Sequence, residues 1–171
     1  MLNNTQQACI YKTMYSRQIA VEYAYKWWNK RNPNFYNFDN IGGDCTNFVS
    51  QCLWAGGVQM NYSQNGWFYN NLNSRSPAWT GVEQFFNFAI NNQSSIGVKA
   101  KQVLINQIEV GDVIQLWQNS NRFNHSLFVT KIKGISSINS IYVTCHTNDA
   151  KDKLLSDYYF TKIRFLKILN N

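Results

Sequence analysis

The chain has 171 residues, 44% of them hydrophobic, enough for one well-filled core and too few for two ordinary domains, so residues 1–171 are expected to form a single domain. Sixteen Lys and Arg against nine Asp and Glu leave a charge of +7, which favours anionic partners, yet the basic groupings KWWNKR and KIRFLK are interrupted and weigh against nucleic acid. No run approaches the ~20 apolar residues of a membrane span, and MLNNTQQACIYK lacks the pattern of a secretion signal, so neither integral membrane contact nor a signal peptide is expected.

In chain order, Ile19, Ala20, Tyr23, Ala24, Trp27 and Trp28 recur every three or four positions between Ser16 and Arg31, the stripe of an amphipathic helix closed by Asn32-Pro33. NPNFYNFDNIGGD then reads as a loop. From Cys45 to Ala55 a second stripe, Phe48, Val49, Cys52 and Leu53, predicts a helix stopped by Gly56 and Gly57. Residues 58–79 read as a polar, aromatic-rich loop. TGVE, residues 80–83, offers a capping box for a third helix with Val82, Phe85, Phe86 and Ala89 on one face.

After Gln93 the period changes to short β-rich runs: VLINQI, VIQLW after Gly111-Asp112, SLFVTKI, SINSIYVTCHT and KIRFLKIL. Lys133-Gly134 and the serines after it mark a tight connection, so 126–133 and 138–147 are expected to be antiparallel neighbours. Helices followed by strands predict an α+β domain.

The cysteines stand at 9, 45, 52 and 145, without a Cys-x-x-Cys or a zinc spacing, so no metal, no other cofactor and no disulfide framework are expected. Cys52 belongs to a core stripe, and Cys9 and Cys145 are expected to be free thiols. Cys45 differs, because it opens its helix. There the unpaired amides and the dipole stabilise a thiolate, which suits a nucleophile; the plainer alternative is an inert or capping residue.

A thiol nucleophile needs a base, and there are two histidines. His125 opens the strand HSLFVTKI and is the candidate base. With the connection centred near residue 136, residue 125 lies opposite residues around 147, where His146 and Asn148 share one face. Either is a candidate to orient the imidazole. The Cys45 amide and the Asn47 side chain are candidate oxyanion donors. Asp44 is expected to bind a substrate amine or to cap the helix. Trp67, with Tyr11, Tyr36, Trp54, Phe68 and Trp79, is expected to line a groove or to pack.

GGDCTNFVSQCLWAGG, preceded by YSRQIAVEYAYKWWNKRNPNF and followed by GWFYNN, SPAWTGVEQF, GDVIQLW, NHSLFVT and CHTND, resembles the putative amidase domain family of bacteria. That family looks like a branch of the NlpC/P60 and CHAP superfamily. The resemblance implies a papain-like (NlpC/P60-like) α+β fold, with N-terminal helices packed on a C-terminal antiparallel sheet. It carries the nucleophile to Cys45, the base to His125 and the third member to the HTND segment. NlpC/P60 relatives favour His146 there, and CHAP relatives leave Asn148 open.

The resemblance implies a cysteine-dependent amide hydrolase acting on peptidoglycan, at the bacterial cell wall or outside the cell, and the chain is expected to be a monomer. It would cut either within the stem peptide or at the sugar–peptide junction. Two other readings share the sequence: a thiol deamidase or acyltransferase acting on a protein, and an inactive wall-binding module carried by its aromatics and positive charge.

Overall fold

The computed structural model describes residues 14–170. Ser16 accepts a hydrogen bond from the Ile19 amide and starts α1, Arg17–Trp27. Ala20 and Ala24 are its buried face, one turn apart, and their small side chains let the helix lie close to its neighbours; Ile19, expected on that face, is exposed. The helix stops at Trp27, a turn before the expected end, because the Trp27 carbonyl accepts from the Lys30 amide and from the His146 ring.

The next helix, α2, is Cys45–Ala55, with the bounds expected, and every residue from Cys45 to Leu53 is buried. A helix covered all round is a central one. Its polar positions are therefore all partnered: Gln51 accepts from Tyr23 Oη at 2.7 Å, and Ser50 Oγ donates to the Trp79 carbonyl and accepts from Trp67 Nε1. Gly56 ends α2 where the chain returns to α1. A Cβ there would meet the Tyr15 ring and the Ser16 carbonyl oxygen within 3 Å, so only glycine fits.

Residues 58–79, expected to be loop, contain a small hairpin of β1, Tyr69–Asn71, and β2, Ser74–Arg75, and the start of a short helix, α3, Pro77–Thr80. The capping box does not form. Thr80 ends α3, Gly81 is the N-cap of α4, Val82–Asn91, and Glu83 turns away to accept from the Phe123 amide and from Arg164. Phe85 and Ala89 form the buried face of α4.

The strands β3, Ala100–Val103; β4, Val113–Trp117; β5, His125–Ile132; β6, Ile141–Cys145; β7, Ala150–Leu154; and β8, Lys162–Ile168 form one sheet in the order β3-β8-β4-β5-β6-β7. Every neighbouring pair is antiparallel. In VLINQI only Val103 is strand. The Gln107 side chain accepts from the Leu104 amide and closes a single 3-10 turn over Ile105–Gln107. The β5–β6 register pairs Phe128 with Thr144 and Val129 with Val143, which centres the connection on Ser136, as expected.

Side-chain alternation divides the core in two. Phe128, Val113 and Leu166 pack with Phe48, Val49 and Leu53 under the helices. Leu127, Val129, Ile114, Leu116 and Cys145 form a second cluster on the other face, closed by Leu155. The domain is thus α+β, with N-terminal helices packed on a six-stranded antiparallel sheet. Among the described residues no helix is long and apolar enough to cross a membrane.

Candidate active site

Cys45 is the first residue of α2 and is 5% exposed. The loop before it is drawn tight. Gly43 has φ +98° and passes so close to Thr147 that an added Cβ would lie 3.1 Å from Thr147 Oγ1, while the Asp44 amide donates to that hydroxyl at 2.8 Å. Asp44 occupies the N-cap position, yet its side chain caps nothing in the helix. Its Oδ1 accepts from the Phe38 amide and from Asn47 Nδ2, and its Oδ2 lies 2.6 Å from His146 Nδ1.

The start of α2 rests against the start of β5 through Thr46 and Ser126, with the Cys45 sulfur beside the Thr46 hydroxyl. Thr46 Oγ1 lies 2.9 Å from Ser126 Oγ and 3.9 Å from the sulfur. Burial pushes the thiol up. The Ser126 amide and the Thr46 hydroxyl and amide act the other way, and the Asp44 charge adds to the rise. The helix start therefore does not hold a thiolate in this closed geometry, because desolvation outweighs the donors.

His125 is buried and shares the second-core face with Leu127 and Val129. Its ring centroid lies 6.2 Å from that of Tyr158, whose hydroxyl is 3.3 Å from Cys145 Sγ. Burial first, and the Lys153 charge second, pull His125 down to about 4. Cys145, pushed up to about 11 chiefly by burial, ends β6 beside the start of β5, where the Thr46–Ser126 contact also brings the start of α2. Cys45, His125, Cys145 and Tyr158 thus gather at one end of the sheet, and among the described residues no hydrogen bond joins Cys45 to His125.

His146 is elsewhere. In an antiparallel pair, directly opposite residues share a face, so the register puts His125 with Cys145 and turns His146 toward α2. There it stacks on Phe48 at 4.0 Å, and its two ring nitrogens meet Asp44 and the Trp27 carbonyl. Neither nitrogen is left for His125. Asn148 follows β6 with φ 66°, so strand alternation does not reach it; it is exposed, and its side chain makes no hydrogen bond with another described residue.

The three residues expected to touch substrate lie behind the site. Asp44, Asn47 and Trp67 are at most 1% exposed. Asn47 Nδ2 donates to the Tyr36 carbonyl and to Asp44, its Oδ1 accepts from Trp79 Nε1, and Trp67 Nε1 donates to Ser50. With its amide so occupied, Asn47 has no free donor for an oxyanion. Of the aromatic set, Tyr36 and Trp54 are exposed, Trp79 is buried, and Tyr11 lies outside the described residues, as does Cys9. Cys52 is in the core.

Cys45 opens on a pocket of about 170 Å³ lined with Gly42, Gly81, Glu83, Gln84, Arg122 and Phe123. Sequence reasoning missed Glu83 in this role, having read it as a cap, and missed Tyr158 and Lys153 beside His125. Only the tertiary fold reveals those contacts. Among the described residues no three His, Cys, Asp or Glu converge as metal ligands.

A family profile described as putative amidase domain matches residues 14–168. The uncharacterized protein YhbB of Bacillus subtilis (strain 168) is 37% identical over 143 residues, which is 80% of this chain and 43% of that protein. The chain therefore spans less than half the length of that relative. No solved structure matches it.

Proposed function

Because the chain belongs to the putative amidase domain family, we propose that it is a cysteine-dependent amide hydrolase that cuts cell-wall peptide. The observation that carries this reading is the Cys45 thiol at the start of a helix, set against the start of β5 by the Thr46–Ser126 contact and opening on a pocket. Cys45 attacks the amide carbon. His125, neutral at physiological pH, takes the thiol proton as attack proceeds and gives it to the leaving amine. Water then cleaves the thioester, with His125 again as base.

Since the resting pair is thiol and imidazole, proton transfer accompanies attack, as in serine hydrolases, and no preformed ion pair is needed. The α2 N-terminal amide of Cys45 stabilises the oxyanion. The papain-like comparison belongs to this proposal, resting on a helix-borne cysteine beside a sheet-borne histidine. Action at the wall or outside the cell follows from the substrate.

The test is mass spectrometry of fragments released from purified peptidoglycan by wild type and by Cys45→Ala. New amino ends within the stem would identify an endopeptidase, and intact stems freed from glycan a sugar–peptide amidase. Wild type releasing nothing, or Cys45→Ala releasing as much as wild type, would refute the reading.

A further inference from the structure

A second and larger cavity, of about 560 Å³, lies along α4, and none of its lining residues is charged. It is joined to the thiol. Gln84 lines the Cys45 pocket, this cavity and a hollow of about 340 Å³ between them; Thr80 and Gly81 are shared by the thiol pocket and the hollow, and Pro77 by the hollow and the cavity. One groove thus leads from Cys45 along the helix.

The wall of that groove is a repeating pattern. Gln84, Asn87 and Asn91 stand at helical spacing away from Phe85 and Ala89, with Phe88 at the boundary, lining the cavity and packed in part against the core, so α4 carries a core face and an amide face. From Gln84 to Asn91 the helix rises roughly 10 Å. The side chains of Gln84, Asn87 and Gln93 make no hydrogen bonds to other described residues, and Gln84 and Asn87 are exposed. Each amide offers donors and an acceptor.

We propose that this cavity binds an uncharged, N-acetylated amino sugar of the substrate, presenting the amide next to that sugar to Cys45. The inference rests on the hydrolase reading above. Side-chain amides complement hydroxyl and acetamido groups, the Phe88 ring offers an apolar face to a sugar, and the uncharged lining suits a neutral ligand. An extended peptide fits less well: such segments are bound by unpaired strand edges, whereas this wall is a helix whose backbone is internally paired. The charged residues are instead toward the thiol, Arg75 in the connecting hollow and Glu83 and Arg122 at the thiol pocket, where the ionised stem peptide would lie.

The experiment is calorimetric titration of chitotetraose into Cys45→Ala, which needs no turnover, and into the same protein carrying Asn87→Ala or Phe88→Ala. Chitotetraose should bind, each substitution should weaken it roughly fivefold or more, and a soluble wall stem peptide should not displace it. Asn87 is exposed, so its variant keeps the test valid even if Phe88→Ala misfolds. No heat of binding, equal affinity in the variants, or displacement by the stem peptide would overturn the sugar site, the last in favour of a peptide. If wild type released no wall fragments while chitotetraose bound, the hydrolase reading would fall and the sugar site stand. Fragment release without sugar binding would do the reverse.

Discussion

His146 Nδ1 lies 2.6 Å from Asp44 Oδ2, and its other nitrogen, Nε2, lies 2.8 Å from the Trp27 carbonyl oxygen. A carbonyl can only accept, so Nε2 is the donor to Trp27. The two contacts tie the residue before Cys45 to the end of β6 and to the last turn of α1. His146 is accordingly a structural residue; without it Asp44 keeps the Phe38 amide, Asn47 and Arg31, whose Nε lies 3.6 Å from Oδ2.

His146→Ala should therefore cost about 1–3 kcal/mol of stability in denaturant unfolding, the usual penalty for losing buried hydrogen bonds. Any loss of activity should track the folded fraction. A variant of wild-type stability that has lost its activity would show instead that His146 serves the chemistry.

The His125 value of about 4 sets the acid limb of the pH profile. The base works when neutral, so kcat/KM should stay level from neutral pH to about 5 and fall by half near 4, instead of falling in the middle 6 range of an ordinary histidine. Lys153→Met removes a positive charge and should move that limb upward. Between pH 6.5 and 4 the unfolded chain binds the proton more readily than the native one, so stability should decline by about 3 kcal/mol as pH falls through that window.

Because burial raises the Cys45 thiol, iodoacetamide should label it more slowly at pH 7 than it labels a free cysteine, with a rate that climbs beyond pH 9. Thr46→Val removes the hydroxyl that meets both the thiol and Ser126 Oγ. It should lower kcat about fivefold and stability by about 1 kcal/mol. Fast labelling at neutral pH would mean that the site holds a thiolate.

Arg17 Nη1 donates to Asp112 Oδ1 at 2.6 Å, and the carboxyl is fully buried. Arg17 also donates to the carbonyls of Val110 and Ile168, joining α1 to the β4 turn and β8. Arg17→Ala should cost about 3 kcal/mol, read by thermal or denaturant unfolding, because it leaves Asp112 without its cation.

Periodicity made α2, β4, β5 and the Ser136 connection legible, since local patterns encode them. The edge strand β7 was not, because KDK has no apolar alternation and its central Asp152 is held by Tyr25 and Thr130 from distant segments. Cys45 and His125 could be singled out by the positions of their elements. The Asp44–His146 contact, 102 residues apart in the chain, could not. Misjudging which side of β6 shares a face with His125 made His146 look like an orienter, and burial, invisible in sequence, reversed the expected ionisation of Cys45.

The central claim is a covalent step at Cys45. Intact-protein mass spectrometry of enzyme acid-quenched during turnover of purified wall peptide tests it most directly. A mass increase equal to the acyl fragment, mapped to the peptide containing Cys45 and absent from Cys45→Ala, is the predicted result. Continued turnover by Cys45→Ala, with no adduct on the wild type, would contradict it.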